Sequence, residues 1–289
     1  MKNLVIYFWH LPRWFGLPVS TCAVVLGGLV SGATASQLAI AAGIGALLMA
    51  YAHTFNTFND YVLTGFDKGD VRSRQKPYTS GQSLIALGLI RPGRVFWTGV
   101  LYLVLALGLV FALGENQIKW IPVLLTIPMT FAYSYGKKFY TCELVLALGF
   151  GPFAAMLGSA FSDHPDMWNS FLVGLPIGII FGFGAEVYDQ YFDADQNWDK
   201  GLRNIGALTW FYKLDVTGVV ETFVILAYVV QVGLVYAGYL SSWTLLTILA
   251  LPAILALRLV PRWGSLGILV GLFGVFAYCV LMVGGQAVG

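Results

Sequence analysis

Residues 38–58 read LAIAAGIGALLMAYAHTFNTF, and Asn59 and Asp60 follow at once. The run carries no Asp, Glu, Lys or Arg. It is as long as a helix that crosses the hydrocarbon core of a bilayer, about 20 residues. A stretch of this kind is a membrane span, and its abrupt end in an amide and a carboxylate marks a membrane face.

The rest of the chain repeats the pattern. Of 289 residues, 58% are hydrophobic and only 10% are charged, and mean hydropathy is +0.77. A soluble domain carries roughly 25% charged residues, so water cannot be the solvent for most of this surface. Nine apolar stretches of spanning length lie near 15–33, 38–58, 95–114, 119–135, 143–161, 168–188, 217–238, 241–260 and 264–285. Two polar connections, 59–94 and 189–216, interrupt them. The fourth stretch is the weakest, since it holds Pro122 and Pro128. The expected fold is an all-α integral membrane protein. It is a single domain over 1–289, with nine transmembrane helices and polar loops capping one face.

Charge placement orients this bundle. With the N-terminus cytoplasmic, 15 of the 16 Lys and Arg fall on the cytoplasmic side, and only Lys119 falls outside. The positive-inside rule asks for that asymmetry, and a miscounted helix would scatter it. Both polar connections are then cytoplasmic, and the C-terminus lies on the opposite side. Lys2, the first apolar stretch and Ala33-Thr34-Ala35 loosely mimic a secretion signal. That stretch is long, and Trp9, His10 and Trp14 precede it, so it reads as a first span. Cys22, Cys142 and Cys279 show neither disulfide nor metal spacing. No basic run suggests nucleic acid.

The acids gather in two places. Asp60, Asp67 and Asp70 follow the second span, and Glu186, Asp189, Asp193, Asp195 and Asp199 follow the sixth. The clusters lie four helices apart on one side, a weak internal repeat that implies two related halves with a site between them. At about 100° per residue, Asn56, Asn59, Asp60, Leu63 and Asp67 share a face if the second helix runs that far. Gly65 is placed to end it sooner. Glu186, Asp189 and Asp193 share a face. Asp195 and Asp199 lie opposite and read as solvated, with Asp70, Asp195 and Asp199 kept as rival ligands. Carboxylates at helix C-termini are electrostatically costly, and a divalent cation relieves the cost. All-oxygen donors suit Mg²⁺, which takes one or two carboxylates and completes its shell with water and phosphate oxygens. The chemistry indicated is recognition of a diphosphate.

Asn59-Asp60-Tyr61 with Asp67 resembles the first aspartate-rich motif of the UbiA superfamily of intramembrane prenyltransferases, N-D-x-x-D-x-x-x-D. Leu63 stands where that pattern has its middle Asp. Lys76-Pro77-Tyr78-Thr79-Ser80-Gly81 is similar to the family's R-P-x-x-S-G segment, and Tyr133-Ser134-Tyr135-Gly136-Lys137-Lys138 to its Y-P-x-x-K-R segment. Glu143-Leu144-Val145 with Phe150-Gly151-Pro152 resembles a further stretch. Glu186-Val187-Tyr188-Asp189 with Asp193 resembles the second motif, D-x-x-x-D. Gly201-Leu202-Arg203-Asn204 fits G-x-R-[TN], with extra residues that leave the register Asp195-x-x-x-Asp199 open.

The resemblance implies a helical bundle around a central cavity under a cytoplasmic cap. It implies Mg²⁺-dependent transfer of a polyprenyl group from its diphosphate to a lipophilic acceptor, often a quinone-precursor aromatic. On this reading Asp60, Asp67, Asp189 and Asp193 do the catalytic work, with Asn59 and Glu186 completing the metal site. Arg72, Lys76, Tyr133, Lys137, Lys138 and Arg203, with Asn59, bind substrate. The remaining partners are membrane lipids. Alternatives are a family member that cyclises its own diphosphate, a transporter and an assembly partner without activity. Against transport, the charges sit at one rim, whereas transporter sites lie near the midplane. His10, His53 and His164 form no constellation, and only His53 is placed to face the cavity.

Overall fold

In the computed structural model of the chain, described over residues 11–13, 16–68, 83–113, 117–255 and 265–289, every described element is helical. The helices are α1 (Leu17–Val30), α2 (Ala35–Val62), α3 (Pro92–Leu113) and α4 (Trp120–Gly136). Next, α5 runs through Cys142–Leu148, a π-helical Gly149–Phe153 and Ala154–Ala160. Helix α6 runs through Met167–Gly178, a π-helical Ile179–Ala185 and Glu186–Asn197. Then come α7 (Ile205–Phe211) and α8 (Val216–Tyr236). A 3₁₀ stretch, Ser242–Ala250, with Leu251–Leu255 forms α9, and α10 is Ser265–Val288.

Every predicted span overlaps one of these helices. Among the described residues, five helical runs are long and apolar enough to cross a membrane: Ala35–Val62, Pro92–Leu113, Cys142–Ala160, Met167–Asp195 and Val216–Tyr236. Leu17–Val30, Ser242–Leu255 and Phe273–Val288 are apolar but shorter.

Lipid tails are as apolar as Leu, so helices in a membrane associate through close packing and hydrogen bonds rather than by escaping water. Two seams show this. Gly27 and Gly158 bring α1 against α5, where an added Cβ would strike Ala155 O or Val24 O. Gly151, Gly174, Gly178 and Gly182 bring α5 against α6 with equally little room. Polar pairs reinforce the bundle. Ser31 Oγ lies 2.6 Å from Ser159 Oγ. In the C-terminal helices, Gln231 is fully buried and accepts from the Tyr278 hydroxyl at 2.7 Å.

The second polar connection is more ordered than its composition suggests. Helix α6 does not stop at the end of the apolar run but continues to Asn197, and α7 forms inside the connection. Glu186, Asp189, Asp193 and Asp195 therefore lie within a helix, and Asp199 lies just beyond its end. The helix continues because Ala194 packs with Phe66, Leu202 and Ala207 in a small core of its own.

Candidate active site

Asn59 and Asp60 lie in the last turn of α2, fully buried. The helix ends at Val62, and the chain reverses at Gly65, whose φ of +75° favours glycine. The reversal returns Asp67 so that its amide donates to Asp60 O at 3.1 Å. Asp67 thus joins Asp60 through a turn, not along a continued helix face. Leu63 takes no part: it is 44% exposed while Asn59, Asp60 and Asp67 are 0%, 0% and 4% exposed. The expectation that Leu63 sits centrally on that face is corrected, because the face ends where the helix does.

The turn is anchored from the second cluster. Phe66 is buried against Ala194, Leu202 and Ala207. Lys200 Nζ donates to Phe66 O at 2.5 Å and to Lys68 O at 3.1 Å. Asp193 is close enough for its charge to act on Asp67. Asp195 and Asp199 are exposed on the other side. Asp70, Arg72 and Lys76 lie outside the described residues.

Lys137 stands between the two clusters. Its ammonium lies 2.5 Å from Asp60 Oδ2, with the two side chains 4% and 0% exposed. It also lies 4.9 Å from the Tyr133 ring centroid. Burial disfavours the ammonium, but the charges of Asp60, Asp67 and Glu186 hold its pKa above the ordinary lysine value. Burial, and then the Asp60 charge, push the Asp67 carboxyl up to about 8.

Tyr133 donates to Glu186 Oε1 at 2.5 Å, and Gln190 Nε2 donates to the same oxygen at 2.7 Å. Lys138 lies 5.5 Å from the Phe66 ring centroid. Arg203 is turned to its own loop, 3.8 Å over the Trp198 ring and 2.8 Å from the carbonyls of Trp198 and Leu202.

Of these groups, Tyr133 and Glu186 border a cavity that penetrates the bundle. Its apolar walls include Val24, Leu48, Met49, Phe150, Leu157 and Phe181, and its polar lining includes Arg13, Asn56, Tyr133, Glu186 and Asp189. Three of these polar groups are held by hydrogen bonds, Ser134 Oγ donating to Asn56 Oδ1 at 2.9 Å and Tyr133 to Glu186. Phe150 and Phe181 stack across the wall at 4.1 Å. His53 lines the cavity, edge-on to Phe150 at 5.9 Å.

The donor set carries a clear deficit. Asp60 Oδ1, Asp67 Oδ2 and both amide atoms of Asn59 are buried without a hydrogen-bond partner. A buried polar atom left unpaired costs about 1–3 kcal/mol, and more when charged. Hard oxygens in that state fit a divalent cation. Among the described residues, no three Asp, Glu, His or Cys side chains form a metal cage by themselves. That suits an ion that shares its shell with phosphate and water.

Three contributors went unread in the sequence. Arg13 served only for orientation, yet its guanidinium Nε and Nη2 are buried without partners beside the cavity. Gln190 is neutral and stands among acids that drew the attention. Glu143 is fully buried, and its Oε1 accepts from Ile205 N at 2.7 Å, capping α7. In the sequence Glu143 stood out only within the Glu143-Leu144-Val145 stretch that resembles the family, with no role attached to it.

A family model described as the UbiA prenyltransferase family matches residues 14–267. The fold resembles the apo structure of a UbiA homologue from Aeropyrum pernix K1, with TM-score 0.74 and 15% identity over 92% of this chain and 96% of that one. It resembles a structure titled for the biosynthesis of digeranylgeranylglyceryl phosphate synthase in membranes, with TM-score 0.63 and 14% identity over 100% of both chains. A UbiA homologue from Archaeoglobus fulgidus, bound to DMAPP and Mg²⁺, gives TM-score 0.53 and 15% identity over 98% and 99%. Comparison with curated proteins finds no match.

Proposed function

Because the chain belongs to the UbiA prenyltransferase family, we propose that it transfers a polyprenyl group from its diphosphate, with Mg²⁺, to a lipophilic aromatic acceptor of the quinone-precursor type. The observation that carries this reading is the pairing of buried, partnerless oxygens on Asn59, Asp60 and Asp67 with a second acid cluster at the polar end of an apolar cavity.

Asn59, Asp60 and Asp67, with Glu186, Asp189 and Asp193, would hold Mg²⁺, which would supply neutralisation of the diphosphate leaving group's charge. The diphosphate leaves with the bonding electron pair. An electron-rich acceptor carbon attacks the allylic carbon and then loses its proton. Lys137 adds a fixed positive charge between the clusters, where low dielectric strengthens it. Arg13 offers unused donors to an anionic group of either substrate. Lys138, Arg72, Lys76 and Arg203 are kept as ligands of the diphosphate on the strength of the family resemblance alone. The prenyl chain lies against Met49, Leu157 and Phe150, and these walls keep water from the cation.

The site faces the cytoplasm. Nine spans in two related halves form one domain over 1–289, with the C-terminus on the opposite side. Support comes from the charge asymmetry and from the overlap of each predicted span with a helix.

The test incubates purified protein with labelled geranylgeranyl diphosphate, Mg²⁺ or EDTA, and hydroxybenzoate, naphthoate or glyceryl acceptors. Prenylated aromatic product with Mg²⁺ and none with EDTA is the expected result. Diphosphate release without an acceptor would move the reading to a cyclase, and no release under any condition would sink it.

A further inference from the structure

Glu186 reaches the cavity through a chain of buried hydrogen bonds that begins on a different helix. Asn204 caps α7, its Oδ1 accepting from Ala207 N at 2.9 Å. Asn204 Nδ2 donates to Gln190 Oε1 at 2.9 Å, and Gln190 Nε2 donates to Glu186 Oε1 at 2.7 Å. Asn204 and Gln190 are 0% and 2% exposed.

The direction of this chain is dictated. A backbone N–H can only donate, so Asn204 must present its oxygen to Ala207 and its NH₂ to Gln190. Gln190 must then present its oxygen to Asn204 and its NH₂ to Glu186. Glu186 Oε1 receives that donor and the Tyr133 hydroxyl, so it is committed as a double acceptor. The other oxygen, Oε2, is left for the cavity that Glu186 lines. The spacing that permits this comes from Gly206, where a Cβ would lie 2.5 Å from Val187 O and 2.8 Å from Gln190 Cβ.

We propose that Gln190 and Asn204 are positioning residues that set the orientation of the Glu186 carboxylate toward the metal–diphosphate. This rests on the function proposed above. Neither residue touches the reacting atoms; they act through Glu186. Loss of the chain's direction leaves Glu186 free to rotate about its last torsion, so metal binding weakens while chemistry at saturating metal persists.

Asn204→Asp separates this role from capping. Asp caps helices as well as Asn, but it has no NH₂ for Gln190. Expected for N204D are a metal-free Tm lowered by the buried carboxylate, a roughly tenfold rise in half-saturating Mg²⁺ and kcat within about threefold of the parent at saturating Mg²⁺. The Tm gain from Mg²⁺ with inorganic pyrophosphate shrinks to match, a readout that needs no turnover. Gln190→Met shows the same pattern. N204D or Q190M with the parent's Mg²⁺ dependence overturns the proposal. A parent protein that gains Tm from Mg²⁺ and pyrophosphate but transfers no prenyl group indicts the proposed function instead.

Discussion

The Lys137 ammonium sits 2.5 Å from Asp60 Oδ2, both side chains out of reach of water, at the place where the two acid clusters meet. A lysine offered as a phosphate ligand by the sequence is also the resident counter-ion of a motif carboxylate. Removing one partner of a buried pair is costly because the other charge is stranded, typically by about 3–5 kcal/mol. Lys137→Met is therefore expected to lower the metal-free Tm sharply, and Asp60→Asn in the same chain to restore much of it. Prenyl transfer stays at least about a hundredfold down in the double variant. Thermal melts with paired activity assays decide it.

The Asp67 carboxyl predicts a pH effect. An acid whose pKa is raised by folding binds its proton more tightly folded than unfolded. Its contribution is in place below its ordinary value of 3.8 and is lost as pH rises through about 8. Metal-free Tm should fall across that window, and Asp67→Asn should flatten the fall. Apparent Mg²⁺ affinity should rise over the same range, because the metal competes with the proton. A Tm profile that is identical in D67N contradicts this.

Leu63 stands where the family pattern has an acid, yet it is exposed and off the buried face. Leu63→Asp is expected to shift stability by no more than about 0.5 kcal/mol, as surface changes do. It should change half-saturating Mg²⁺ by less than about threefold, and it should not rescue D67N. Rescue of D67N activity by L63D would show that this position reaches the metal.

The glycine seams separate close packing from helix propensity. Gly158→Ala puts a methyl into the Val24 carbonyl, whereas a Cβ at Gly108 meets nothing within 4 Å. The first is expected to cost several kcal/mol by forcing α1 off α5, as overpacked cores do. The second should gain about 0.5–1 kcal/mol of helix propensity. Melts in detergent compare the two directly.

What was legible in the sequence was whatever depends on composition along one element. Apolar runs located the helices, and Asp60, Asp189 and Glu186 announced themselves by being charged in a chain nearly without charge. Features set by contact between elements did not show. Asp67 returns by a turn because Phe66 finds a pocket among Ala194, Leu202 and Ala207, and no local pattern encodes that. Helix α6 outruns its apolar stretch for the same reason. Gln190 and Asn204 are ordinary polar residues until α7 lies against α6. The π-helical turns left only Gly and Pro as traces, at Gly149, Gly151, Pro152, Gly182 and Gly184.

The π-helical turn at Ile179–Ala185 ends immediately before Glu186. Such a turn accommodates one residue beyond the α-helical count, so it acts as an angular setting for everything after it. Were the stretch to regularise to α-helix with all its residues kept, Glu186, Asp189 and Asp193 would swing by about 100° around the axis. The wide turn itself, rather than any one side chain in it, thus fixes which way the second acid cluster points.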